Sequence, residues 1–73
     1  MSEILARVRD IVREHAEVPG DNDAALELDS LALVAIAEAL EESFGIRVLA
    51  RDVVPANFAT LGNIARFVES KMA

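Results

Sequence analysis

The sequence predicts an all-α fold, a four-helix bundle of three main helices plus a short third helix, with a long first loop. Three observations carry that reading. Apolar residues recur at spacings of three and four in three separate stretches. The β-prone pairs Val48-Leu49 and Val53-Val54 are too short and too interrupted for a sheet. Finally, 73 residues without cysteine allow a single domain, 1–73, held by one small apolar core. A chain this short buries only about 60% of the surface its unfolded form exposes. Its 53% hydrophobic residues must therefore supply the stability that disulfides give other small proteins.

Helix one is expected from Ser2 to about Glu17, with Ile4, Leu5, Val8, Ile11 and Val12 on its apolar stripe. Glu3 and Arg7, and Asp10 and Arg13, are spaced to pair on its exposed face. Val18-Pro19-Gly20-Asp21-Asn22-Asp23 is rich in turn formers, and a loop of about ten residues follows to Asp29. The Asp29 carboxylate can accept from the free N–H groups of a new helix and act as its N-cap. Helix two is expected over about Ser30 to Ser43, with Leu33, Ile36, Ala37, Leu40 and Phe44 on its core face and Gly45 as its stop. Leu31, Val34 and Ala35 lie off that face near its start, and Glu38, Glu41 and Glu42 lie off it further along. Arg51 to Asn57 contains Pro55 and reads as a short, irregular helical turn. Thr60 can cap a last helix, about Leu61 to Lys71, with Leu61, Ile64, Ala65, Val68 and Met72 on one stripe and Lys71 near the negative end of its dipole. No repeat or low-complexity segment is visible.

Composition removes most chemistries. Without cysteine there is no thiolate zinc site, thiol nucleophile or redox pair, and the single histidine, His15, makes no metal cluster. Thirteen acidic against seven basic side chains, a net charge of −6, disfavour nucleic acid and favour partners with basic surfaces. Charges run through the first twenty residues, which leaves no signal-peptide core, and no later apolar run approaches a membrane span of about 18 residues. A cytoplasmic location is expected. Asp21/Asp23 and Glu41/Glu42 read as solvated turn formers and an exposed charge run, not as metal ligands.

Ser30 is the one side chain whose position asks for a chemical reading. It follows a capping Asp at a helix start, where unpaired N–H groups and the positive end of the dipole favour an attached or bound phosphate. The plainer alternative is that Asp29 and Ser30 only cap the helix, although Ala32 and Leu33 supply no capping box. As a nucleophile Ser30 would need His15 as base and an orienting group, and neither that group nor an oxyanion turn is evident. No catalytic residue is assigned.

The run Leu26-Glu27-Leu28-Asp29-Ser30-Leu31, with the helix ending Glu38-Ala39-Leu40-Glu41-Glu42-Ser43-Phe44-Gly45-Ile46, strongly resembles the acyl carrier proteins across nearly the whole chain. The resemblance implies a four-helix bundle with a short third helix. It implies 4′-phosphopantetheine, transferred from coenzyme A by a phosphopantetheinyl transferase and esterified to Ser30, with Asp29 and Leu31 beside the attachment point. The thiol of such an arm holds cargo as a thioester, so a carrier needs no cysteine of its own. Leu31, Val34, Glu38, Glu41 and Glu42 would form the partner surface, for the transferase, an acyl- or aminoacyl-loading ligase or transferase, and downstream enzymes. For Leu31 and Val34 the alternative is extra core, with Leu31 packed on the long loop. A monomer is expected.

Carriers of fatty acid synthesis usually have Gly two residues before the Asp and acids after the Ser-Leu pair, where this chain has Glu27, Ala32 and Ala35. Val54-Pro55-Ala56-Asn57-Phe58-Ala59-Thr60 looks more like the discrete carriers of polyketide, nonribosomal peptide and aminoacyl pathways. The glycine-histidine-serine motif of typical peptidyl carriers is absent, since Leu28-Asp29 occupies its place. The chain reads as a stand-alone carrier of a specialised pathway. Its rival is a non-catalytic helical adaptor that keeps the bundle without a prosthetic group.

Overall fold

The computed structural model describes residues 2–73, with side chains from Glu3 onward. Four α-helices appear in order, α1 Ser2–Arg13, α2 Ser30–Phe44, α3 Pro55–Phe58 and α4 Leu61–Met72, with a 3-10 turn at Ala50–Asp52 and no strand among the described residues. The expected acyl-carrier-like all-α bundle is the fold observed. Val8 and Val12 of α1, Ile36 and Leu40 of α2, Phe58 of α3, and Leu61, Ile64, Phe67 and Val68 of α4 form one buried cluster. Full burial of a side chain of this size contributes about 1.5–3 kcal/mol. No polar or charged side chain among the described residues is fully buried. The cluster therefore carries no desolvation cost for an unpaired group.

Helix α1 ends at Arg13, a turn earlier than the periodicity suggests. Glu14 and His15 continue only as turn, with the N–H groups of His15 and Ala16 both donating to the Val12 carbonyl at 2.9 Å. The chain must leave the helix there so that Ala16 and Val18 can pack on the core, and Pro19 disfavours helical backbone at Val18. The connection to α2 is correspondingly longer than the expected ten residues and spans 14–29.

That connection is tied down at several points. Arg9 donates to the Pro19 carbonyl at 3.0 Å and to Asn22 Oδ1 at 2.6 Å. The Asn22 carbonyl accepts from the Gly62 N–H at 3.0 Å, the Leu26 N–H donates to the Ala59 carbonyl at 2.8 Å, and Ala25 forms an isolated antiparallel bridge with Thr60. Leu26 and Leu28 also pack on the core. Asp21 behaves as a turn former, its Oδ1 accepting from the Asp23 N–H at 2.9 Å. No group of acidic or histidine side chains suited to a metal occurs among the described residues.

Helix α2 begins and ends as the sequence indicates. Asp29, in extended backbone, accepts from the Ala32 N–H through Oδ1 at 2.8 Å. Gly45 adopts φ 66° and donates to the Glu41 carbonyl at 2.9 Å. Of the expected core face, Ile36 and Leu40 are buried and Leu33, Ala37 and Phe44 are half-buried. Of the two pairs expected on α1, Asp10 and Arg13 meet at 3.6 Å on the exposed surface. Arg7 turns instead to the end of α2, donating to the Ser43 carbonyl at 3.1 Å and lying 5.5 Å from the Phe44 ring centroid. A C-terminal carbonyl and an aromatic face together offer a guanidinium more than a solvated glutamate one turn away.

The segment between α2 and α4 is two short pieces, the 3-10 turn and α3, with Pro55 at the first position of α3. Asp52 organises it: Oδ2 accepts from the Leu49 N–H at 2.9 Å and pairs with Lys71 Nζ at 2.8 Å, and its carbonyl accepts from Asn57 Nδ2 at 2.8 Å. Helix α4 is capped by Thr60, whose Oγ1 accepts from the Asn63 N–H at 3.0 Å. Leu61, Ile64, Ala65 and Val68 are buried as expected, but Met72 is 52% exposed. Phe67, outside the expected stripe, is buried instead, 5.5 Å from the Phe58 ring at an interplanar angle of 50°. Helix α3 packs on that side of α4 and widens its buried arc beyond one stripe. No helix among the described residues is long and apolar enough to cross a membrane.

Substitutions at the ends of α2 separate the causes of its boundaries. Asp29→Ala removes a capping acceptor and is expected to lower unfolding free energy by about 1 kcal/mol in denaturant titrations. Gly45→Ala forces a Cβ into left-handed backbone and is expected to cost about 1–2 kcal/mol, although the space beside it is open. Gly20→Ala, also in open space but without a positive φ, should stay within about 0.5 kcal/mol of the parent.

The Lys71 ammonium and the Leu49 N–H hold the Asp52 carboxyl below its ordinary range. A depressed carboxyl stabilises the fold fully above its unfolded value of about 3.9 and loses that contribution as pH falls through the lower folded value. Stability measured against pH should therefore fall less steeply below about pH 4 in Asp52→Asn than in the parent, from a lower starting value.

Candidate functional site

The site is the N-terminal end of α2 and the chain that leads into it. The bridge from Ala25–Leu26 to Ala59–Thr60 sets where the loop arrives, and Leu28 packs on the core just before the Asp29 cap. The alternation from Ala24 to Asp29 is consistent: Ala24, Leu26 and Leu28 are half-buried, whereas Ala25, Glu27 and Asp29 are exposed. An extended strand-like segment places alternate side chains on opposite sides. This one uses its inward leucines to fix the position of its outward residues.

Ser30 is the first residue of α2 and is exposed. Asp29 takes up the Ala32 N–H, and the Leu33 N–H donates to the Asp29 carbonyl at 2.9 Å. The Ser30 and Leu31 N–H groups belong to the first turn and have no helical acceptor. They and the positive end of a 15-residue helix face the space around the Ser30 hydroxyl. A covalently held phosphate fits this place. It would meet donors and a favourable dipole without needing a basic side chain.

Leu31 is 83% and Val34 56% exposed. The alternative that they are extra core, with Leu31 packed on the loop, does not hold, since both side chains stand at the surface. Glu38 and Glu42 are exposed on α2, with Glu38 one turn beyond Val34. Glu41 differs, since it is half-buried and its Oε2 accepts from the Val48 N–H at 2.8 Å, bracing the chain just past the helix. Asp29, Ser30, Leu31, Val34, Glu38 and Glu42 are thus at the surface, whereas Glu41 is partly committed to the fold.

Two depressions flank the start of α2. An open groove of about 730 Å³ runs between the end of α1 and the loop, walled by His15, Glu17, Val18, Glu27, Asp29 and Ala32 among others. His15 is one of its walls and Ser30 is not. A smaller apolar pocket of about 220 Å³ lies on the other side, lined by Leu26, Leu28, Leu33, Val53, Val54, Pro55 and Phe58. Sequence periodicity does not reveal it, because its two walls come from segments at least twenty residues apart.

Comparison with known proteins agrees with this geometry. A family model described as the phosphopantetheine attachment site matches residues 2–68, from the start of α1 to near the end of α4. No solved structure matches the chain in the corresponding comparison. Match and fold together cover the four helices and the exposed helix start, and they establish that the chain belongs to the phosphopantetheine-attachment family, carriers bearing covalent 4′-phosphopantetheine.

Proposed function

We propose that Ser30 receives the 4′-phosphopantetheine arm, and that the chain presents an acyl or aminoacyl thioester on that arm to the enzymes of a specialised biosynthetic pathway. The observation that carries this reading is an exposed serine hydroxyl at the first residue of a capped helix, beside two first-turn N–H groups. Asp29 holds the turn in place by bonding Ala32, which leaves the Ser30 and Leu31 N–H groups for the phosphate oxygens. When attached, the arm supplies the thiol that a chain without cysteine lacks. Tethering raises the local concentration of cargo at each partner, so the protein contacts themselves can remain weak and short-lived.

The partner surface in this reading is the outer face of α2. It begins with the exposed side chains of Leu31 and Val34 and passes to Glu38 and Glu42, with Glu41 adding charge from its braced position. Such a face suits an enzyme with an apolar recess near its active-site mouth and basic residues further out. Ala32 and Ala35 leave the front of the helix without charge, and this supports a polyketide, peptide or aminoacyl pathway over fatty acid synthesis. The partners are a phosphopantetheinyl transferase, a loading ligase or transferase, and downstream enzymes. The chain acts as a non-catalytic monomer in the cytoplasm, where coenzyme A is available.

Incubation with coenzyme A and a promiscuous phosphopantetheinyl transferase should add the mass of one phosphopantetheine to the chain. Ser30→Ala should stay folded and unmodified. Failure of the folded parent to gain mass would refute the assignment, and full function of Ser30→Ala in the native host would favour the adaptor reading. Leu31→Ala and Val34→Ala should leave stability within about 0.5 kcal/mol. Together they should lower the transferase's kcat/KM by roughly tenfold, at about 1 kcal/mol or less for each truncated contact.

A further inference from the structure

The segment between α2 and α4 is anchored at its far end by Phe58, which belongs to the buried cluster, with Val53 packed against that cluster. Helix α3 packs chiefly on α4, and the apolar pocket lies between the segment and the start of α2. Val53, Val54, Pro55 and Phe58 form one wall, facing Leu26, Leu28 and Leu33. Two specific side-chain contacts join the segment to α4 beside that packing: the Phe58 ring on Phe67, and Asp52 on Lys71 at 2.8 Å. Lys71 joins them, since its Nζ is also 5.7 Å from the Phe67 ring centroid. Asp52 in turn organises the local backbone through the Leu49 N–H and Asn57 Nδ2. One ion pair thus ties the conformation of a short, irregular segment to the last turn of a long helix. Its two side chains retain partial contact with water, at 27% and 16% exposure, so the pair can break and reform without unfolding the core.

We propose that the Asp52–Lys71 ion pair is a latch that holds the segment from Ala50 to Asn57 as a strap against α4, hinged at the buried Phe58, and so sets how far the apolar pocket beside α2 opens. The strap carries little secondary structure of its own, a single 3-10 turn and a four-residue helix. Isolated pieces of that length are not stable by themselves. With the latch closed, the Asp52, Val53 and Asn57 N–H groups donate locally to the Leu49, Ala50 and Val54 carbonyls, at 2.9, 3.2 and 3.0 Å. With it open, those bonds and the Leu49 bond to Asp52 lose their common anchor, while α1, α2 and the buried cluster keep theirs. The latch is independent of any chemistry at Ser30, so it can be tested on the unmodified chain.

The test is amide hydrogen exchange on the full chain and on Lys71→Met, which keeps an apolar stem over Phe67 and removes the charge. Exchange at Leu49, Asp52, Val53 and Asn57 should rise about tenfold, as expected on losing one charge-assisted hydrogen bond, with the amides of α1 and α2 unchanged. Lys71→Arg, which restores the charge, should return those amides to within about twofold of the parent. Xenon, a probe of dry apolar cavities, should shift the Leu28 and Leu33 methyl resonances further in Lys71→Met than in the parent. Unchanged exchange in the strap, an equal rise in every helix, or Lys71→Arg exchanging as fast as Lys71→Met overturns the latch. Equal xenon shifts in parent and Lys71→Met overturn its control of the pocket.

Discussion

The backbone pairing of Ala25–Leu26 with Ala59–Thr60 fixes where α2 starts, and most of what matters about the molecule depends on it. A sixteen-residue connection without regular structure would ordinarily leave its far end poorly placed. Here the far end is bonded to the residues that lead into α4, and Thr60 is also the cap of that helix. The two helix starts are therefore referenced to each other. Arg9 and Asn22 extend the same tie back to α1, so three of the helices meet around the loop and not only in the core.

Helix α2 answers to two requirements. Its inner face, through Ile36 and Leu40, belongs to the bundle. Its outer face begins apolar and ends acidic, an arrangement that packing alone does not explain, since Leu31 and Val34 are left in water at some cost in solubility. In the proposed function that cost has a reason: a covalent arm on Ser30 would be presented to a succession of enzymes, and the surface next to it would have to be readable by each. In the same proposal the acidic excess of the chain would add a general attraction for basic partners, while the apolar pair would sit where contact is closest to the arm.

Much of this was legible from residue order. Spacings of three and four marked the inner faces of the long helices, and Asp29, Gly45 and Thr60 marked helix ends because each acts on its own immediate backbone. Side chains with a choice of partners were not legible. Arg7 left Glu3 for the Ser43 carbonyl and Phe44, and α1 stopped short of Glu17 so that Ala16 and Val18 could reach the core. Phe67 and Met72 exchanged the expected burial, because the side of α4 that is covered depends on where α3 lies. Glu41, read as surface charge, braces the chain after α2 for a similar reason: its acceptor role needs Val48 to return beside it.

By itself the sequence determined the class of fold, the capped start of α2 and the serine that stands there, since periodicity and capping are interactions between residues a few positions apart. The family resemblance drew on that run together with the Glu38–Ile46 helix ending and extended across nearly the whole chain. Only the tertiary structure decided that Leu31 and Val34 face water, that Asp52 and Lys71 meet, and that an apolar pocket opens between two segments distant along the chain. Those outcomes depend on how helices and loops are brought together, and local spacing carries no information about which distant surface will cover a given side chain.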